Sequence, residues 1–193
     1  MEPDQLADLS LRELLERFAQ RTPAPGGGSA AATTCALAAA LVQMAAAFEP
    51  GATGDVATRA QELRRRALDL AERDLGAYAP VLAALRLAGG DPERPERLRA
   101  ALAAAAEVPL AIARCAAEVA ELGAGVTARA GPHLRGDAVA ATILGEAACR
   151  TAVRLVDANV GAVRNDSRLI QAGELAARAA GARDRALAQD MEV

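Results

Sequence analysis

Pro23-Ala24-Pro25-Gly26-Gly27-Gly28-Ser29 runs directly into Ala30-Ala31-Ala32-Thr33-Thr34-Cys35-Ala36-Leu37, and no charged residue occurs from Thr22 to Phe48. The prolines stiffen the approach, the glycines free the backbone to curl, and Ser29 is placed to cap a helix that begins with Ala30. A turn of this kind leaves backbone N–H groups pointing outward beside a helix N-terminus, a site for an anion or for a developing negative charge. The same glycines also read as an elbow that lets two helices pack closely. Behind them, the Ala-rich run with Thr33, Thr34 and Gln43 is too weakly hydrophobic to make a good membrane span, which needs roughly 20 strongly apolar residues. A helix that is apolar all round but small-sided suits the centre of a bundle.

Working outward, the rest of the chain agrees with that centre. Its 193 residues are 52% hydrophobic but only 2% aromatic, without Trp. That length fills one domain, read as spanning residues 1–193, and Ala- and Leu-rich sequence with few β-branched runs reads as helix throughout. A net charge of −3 with interspersed arginines gives no basic footprint for nucleic acid, and so few aromatics give no stacking platform. Cys35, Cys115 and Cys149 are odd in number and lie in apolar helical contexts, which suits buried thiols in a reducing compartment. Met1-Glu2-Pro3-Asp4-Gln5 has no basic segment of a signal peptide, so a cytoplasmic location is expected.

In chain order, Ser10-Leu11-Arg12-Glu13 is a capping-box pattern that opens a helix with the stripe Leu11, Leu14, Leu15 and Phe18, closed by Pro23. The central helix spans about Ala30 to Phe48. After the break at Glu49 to Gly54, Asp55 is placed to cap a long helix to about Ala88, bent near Pro80. A fourth helix starts near Pro95 or Glu96, is kinked at Pro109 and fades at Gly123 to Gly125. The segment Ala130 to Gly136 reads as a loop, Asp137 as the cap of a fifth helix to about Val163, and Asn165-Asp166-Ser167 as the start of the last. The expectation is an all-α bundle of about six helices without internal repeats.

Three polar residues stand out on helical wheels. Leu63, Ala67, Leu70, Tyr78, Val81 and Leu85 fall within about 40° of Asp74, whereas Arg65, Asp69 and Glu72 lie on the far side. A carboxylate in an apolar stripe must find donors or a cation, or shift its pKa, and each outcome suits a catalytic acid or base. Capping a neighbouring helix or lining a dimer seam would serve it equally. Asn159 shares the side of Val156, Val160 and Val163, where an amide binds a ligand or bridges two helices. Asp137, in Gly136-Asp137-Ala138, reads as a helix start. His133 is the lone histidine, no cluster has metal-ligand spacing, and no phosphate loop, nucleophile elbow or dinucleotide fingerprint occurs, so neither metal nor cofactor is expected.

Pro23 to Ala32 closely resembles the signature of the cyclodeaminase/cyclohydrolase family, which includes the cyclodeaminase part of formiminotransferase-cyclodeaminase and stand-alone methenyltetrahydrofolate cyclohydrolases. Further segments resemble the family in the same order. They are Glu72-Arg73-Asp74-Leu75-Gly76-Ala77-Tyr78, Arg86-Leu87, Val108-Pro109-Leu110, Gly131 to Asp137, and Asn159-Val160.

The resemblance implies an all-helical homodimer that binds a tetrahydrofolate derivative as substrate. Two reactions are implied: cyclodeamination, in which N10 attacks the formimino carbon on N5 and ammonia leaves, or cyclohydrolysis of the 5,10-methenyl bridge. Both pass through a tetrahedral carbon between two nitrogens and need proton transfers rather than a metal. A positioned carboxylate supplies such transfers, worth about 100- to 10,000-fold. By resemblance Asp74 is the candidate for that role and Asp137 a second catalytic carboxylate; Pro25, Gly26, Gly27, Gly28, Ser29, Tyr78 and Asn159 are the candidate substrate-binding residues. The chain departs from the family pattern at Pro132, Gly136 and Leu155, which removes two amides and a hydroxyl. A diverged folate-binding or scaffold protein of the same fold is therefore the alternative.

Overall fold

The capping box at Ser10 forms: Glu13 N–H donates to Ser10 Oγ at 3.3 Å, and Ser10 N–H donates to Glu13 Oε2 at 2.9 Å. The computed structural model describes residues 5–48, 54–161, 163 and 165–191. The sequence readings at Met1 to Asp4 and at Glu49 to Thr53 lie outside the described residues. After a short 3-10 turn at Leu6–Asp8, the helices are α1 (Leu11–Phe18), α2 (Gly27–Ala47), α3 (Asp55–Ala77), α4 (Ala79–Leu85), α5 (Arg94–Ala105), α6 (Glu107–Thr127), α7 (Pro132–Val160) and α8 (Ser167–Asp190). No strand occurs among the described residues, and the fold is an all-α bundle.

All the expected helical segments are present, and prolines divide two of them. Pro80 lacks the N–H that would reach Gly76, so the long third segment is interrupted at Tyr78 between α3 and α4. Pro109 acts likewise on the fourth, which is interrupted at Ala106 between α5 and α6. Asp137 does not start a helix. Gly131 is the N-cap of α7 and Pro132 its first residue, a position where the missing N–H costs nothing, so the expected loop is the first turns of the helix. Similarly, Gly54 rather than Asp55 is the N-cap of α3; its φ of 78° is left-handed, a conformation glycine adopts without strain.

The core is built around α2, α6 and α7, with α3 packed on α2 and α8 against α6 and α7. Alanine dominates it, and small residues let backbones approach. A Cβ on Gly145 of α7 would meet Ala120 N of α6 at 3.0 Å, and one on Gly123 of α6 would meet Thr142 Oγ1 at 2.5 Å. The buried hydroxyls of Thr127 and Thr142 donate back to their own helices, at Gly123 O (3.0 Å) and Ala138 O (2.9 Å). Buried Glu146 of α7 pairs with Arg183 of α8 at 3.4 Å and Arg150 at 3.6 Å, which offsets the cost of burying a carboxylate. Beside this core, α4 and α5 pair through a small cluster of Val81, Ala101 and Ala105.

All three cysteines are buried and free. Cys35 of α2 lies 3.7 Å from Cys115 of α6, and its thiol is pushed well up by that hydrogen bond and by burial. Burial, then the nearby charge of Glu146, pushes the Cys149 thiol up to about 12. Two stretches, Gly27–Ala47 and Arg94–Thr127, are long and apolar enough to cross a membrane by length and composition; about half of each apolar window is buried inside the bundle.

Candidate functional site

The first turn of α2 has donors and no side chain of its own to satisfy them. Gly26 is the N-cap and offers none, so the acceptor comes from another helix. Asp74, near the C-terminal end of α3, places Oδ2 2.7 Å from the Ser29 N–H. Ser29 therefore does not cap α2, which starts at Gly27 rather than Ala30. It is the third residue of the helix, fully buried, with Oγ 3.0 Å from both Ala71 O and Asp74 Oδ2. The Asp74 carboxylate thus lies at the N-terminal end of α2, where the helix dipole is positive and backbone N–H groups point outward.

Gly28 makes the arrangement sterically possible. A Cβ there would lie 2.0 Å from Asp74 Oδ1 and 2.4 Å from its Cγ, so the carboxylate occupies the place of the side chain that Gly28 lacks. Oδ2 takes both bonds from Ser29, and no donor among the described residues reaches Oδ1. Gly27 is set by a different neighbour, because its Cβ would fall 3.8 Å from the methyls of Leu155 on α7.

Asp74, Gly26, Gly27 and Gly28 line a cleft of about 250 Å³ that is completed by Tyr78 and Ala77 at the end of α3, by Leu155 and Asn159 of α7, and by Pro109 of α6. Tyr78 stands at its rim, 43% exposed. Asn159 is half-buried, and its Nδ2 donates to Ala105 O at 3.3 Å. Pro109 has no N–H to offer that carbonyl, four residues earlier in the chain, and the amide of Asn159 supplies the missing donor. Asn159 thus bridges α7 to α5, as one of its two sequence readings has it, while facing the cleft.

Two candidate binding residues stand behind the cleft rather than in it. Pro25, after a cis Ala24–Pro25 bond, is buried and outside the lining, and Ser29 is turned toward α3, where it positions Asp74. Asp137 is brought to neither: it is exposed in the early turns of α7, and the 22 residues between it and Asn159 correspond to about 33 Å of helix. His133 is exposed in the first turn of the same helix. No group of three or more His, Cys, Asp or Glu side chains among the described residues is arranged to hold a metal ion.

Sequence reasoning did not find the second, larger cleft beyond Asn159, of about 660 Å³, between α5, the end of α7 and the start of α8. One of its walls is fixed by Arg168, which is bound to Asp166 at 2.7 Å, to Glu107 at 3.2 Å and to Ala103 O. Asp166 also accepts the Arg168 N–H as the N-cap of α8, and these bonds hold its carboxyl down at about 2. The signal available in the sequence was Asn165-Asp166-Ser167-Arg168, which marks the helix start but not its partners on α5 and α6.

A family model described as formiminotransferase-cyclodeaminase matches residues 10–178, which include every residue of the smaller cleft. Among solved structures, the chain is similar to the crystal structure of formiminotetrahydrofolate cyclodeaminase from Thermotoga maritima. The two are 26% identical with a TM-score of 0.84, over 97% of this chain and 98% of the other. No protein of curated description matches. The extent of the family match, together with a bundle of the same fold, establishes that this chain belongs to the formiminotransferase-cyclodeaminase family.

Proposed function

We propose that the protein acts on the one-carbon unit of a tetrahydrofolate, joining N5 and N10 by cyclodeamination of the 5-formimino form. The observation that carries this reading is Asp74, a carboxylate fixed by Ser29 through Oδ2 at the N-terminus of α2, lining a cleft, with no donor among the described residues on Oδ1. The name of the Thermotoga relative supports the choice of substrate.

In the reaction, the N10 lone pair attacks the formimino carbon and a tetrahedral carbon forms between the two nitrogens. The N10 proton leaves through Asp74 Oδ1 and is delivered to the formimino nitrogen. The C–N bond to that nitrogen then breaks, releasing ammonia and leaving the 5,10-methenyl bridge. The formimino group reacts as its protonated amidinium, so its two protons and the one from N10 make up the ammonia and its positive charge passes to the methenyl bridge; no redox partner is needed, and the tetrahydrofolate is substrate rather than cofactor. The Gly26–Gly28 turn and Tyr78 hold the ring system, and Asn159 offers the amide on the far wall. Cyclohydrolysis runs over the same tetrahedral carbon with water as nucleophile, so the test uses both substrates. Purified protein is given 5-formiminotetrahydrofolate and 5,10-methenyltetrahydrofolate in turn, and the methenyl absorbance is followed. Rates at the uncatalysed background with both would refute the enzyme reading.

A second reading rests on the same carboxylate. Asp74 caps α2, and a capping role alone accounts for its place in the apolar stripe. A folate-binding protein of this fold without turnover would keep Asp74 for that reason. Asp74→Asn separates the two, because an amide oxygen still accepts from Ser29 N–H but takes up no proton at neutral pH. The expected homodimer remains part of the proposal, supported by exposed Leu11 and Leu15 on α1 and Leu37 on α2. Leu11 and Leu14 of α1 and Thr33 of α2, one turn before Leu37, line one groove, and in the proposed dimer the second copy covers that groove together with Leu15 and Leu37.

A further inference from the structure

The smaller cleft, at about 250 Å³, is below the size range of roughly 300–1,000 Å³ in which pockets bury a drug-sized ligand. It has room for a bicyclic head and not for a long arm attached to it. The larger cleft begins on the other side of Asn159, which among the described residues is the one that lines both. Its character differs. Leu98 and Leu102 of α5 share a mainly apolar space with Val160, the last residue of α7, and Val163 just beyond it, together with the charged Glu96, Arg99, Asp166 and Arg168. Of these, Arg168 is immobilised by Asp166, Glu107 and Ala103 O. Arg99 is not: two-thirds of its side chain is exposed, and its contact with Glu96 is 3.7 Å, a loose pair that a ligand anion can replace at little cost.

We propose that the larger cleft is a second binding subsite, continuous with the first at Asn159, that takes the aromatic ring of an elongated ligand and presents Arg99 to the anionic arm beyond the ring. This rests on the folate reading, since a reduced pterin joined to an aminobenzoyl ring and a glutamyl arm has that sequence of chemistries. The polar head lies against Asp74 and the glycine turn, the linker passes Asn159, and the ring is buried between α5 and the end of α7. Burial of an aromatic ring there contributes through the apolar area removed from water, while the arm stays hydrated and is steered by a single cation.

The test compares a complete folate, 5-formyltetrahydrofolate, with the head alone, 6-methyltetrahydropterin, by isothermal titration on the full chain. Ala100→Trp puts an indole into the larger cleft from an exposed helical position and should weaken the folate by about tenfold or more while leaving the head unchanged. Arg99→Glu should weaken the folate by about three- to tenfold, again without effect on the head, and carries the test should the Trp variant not fold. Wild-type affinity for the folate in both folded variants would overturn the second subsite and leave the folate reading standing. Wild-type protein that binds neither probe would overturn both. Equal weakening of folate and head would assign the effect to general disturbance of the bundle and also overturn the subsite.

Discussion

The Asp74 carboxylate fills the space that a side chain on Gly28 would need: a Cβ there would stand 2.0 Å from Oδ1, and the adjacent Ser29 N–H binds Oδ2 at 2.7 Å. Gly28→Ala should therefore expel the carboxylate without breaking α2. The expected outcome is a fall in kcat/KM of about 100-fold or more, the scale of a misplaced general acid–base group, with the helical circular dichroism retained. Turnover within a factor of about two of wild type would show that the seat is irrelevant to chemistry.

Asp74 itself has two jobs that substitution separates. Asp74→Asn keeps an acceptor for Ser29 N–H and should lower kcat by about 100- to 10,000-fold with little change in Tm. Asp74→Ala removes the acceptor as well and should cost about 0.5–2 kcal/mol in addition, as loss of an N-cap does. Denaturant unfolding of both variants beside the absorbance assay is the measurement. An active Asp74→Asn would leave only the capping role.

Acid stability should carry the mark of Asp166. Its pKa is held below the ordinary 3.8, at about 2, by the hydrogen bonds from the Arg168 side chain and N–H. A depressed folded-state pKa means stability that is fully present above about pH 4 and is lost as the pH falls toward about 2. Asp166→Ala should lower Tm at neutral pH and flatten the Tm-against-pH curve in that acid window. Parallel curves for variant and wild type would contradict the assignment.

The Ala-rich packing makes a prediction through glycine. At Gly123 a side chain would run into Thr142, at 2.5 Å from its Oγ1 and 3.2 Å from its backbone N, so Gly123→Val should cost about 1–3 kcal/mol. Gly173, exposed on the outer face of α8, has nothing within 4 Å of its would-be Cβ, and Gly173→Ala should stabilise by about 0.5–1 kcal/mol through helix propensity. Urea unfolding of the two variants tests whether close helix contact or propensity governs each site.

If a second copy covers α1 and α2, Leu15→Glu combined with Leu37→Glu should convert a dimer into a monomer, read by light scattering during size-exclusion chromatography. A wild-type monomer at micromolar concentration would remove the dimer from the proposal.

Much of this architecture follows from local chemistry. Ser10 and Glu13 mark a helix start because the two side chains satisfy N–H groups three residues apart, and that exchange needs nothing from the rest of the chain. Pro80 and Pro109 interrupt helices for an equally local reason, the missing N–H, although the sequence read them as bends within continuous helices. The small-sided, charge-free run behind Gly28 could only be buried by close neighbours, and α3, α6 and α7 are those neighbours. Where local cues competed, they misled. Gly136-Asp137-Ala138 looks like a start, yet Gly131-Pro132 had already started the helix.

The amino-acid sequence by itself thus determined an all-α bundle with a small-residue centre and placed Asp74 within an apolar stripe, because helical periodicity and proline act over a few residues. Only the tertiary structure decided what Asp74 touches, that Ser29 and Pro25 stand behind the cleft, that Asn159 serves the carbonyl orphaned by Pro109, and that Asp137 lies far away along α7. Those outcomes depend on which helix ends meet. Meeting is set by how closely alanine and glycine faces pack across 45 residues from Ser29 to Asp74 and 54 from Ala105 to Asn159, a property of the whole core that no local window contains.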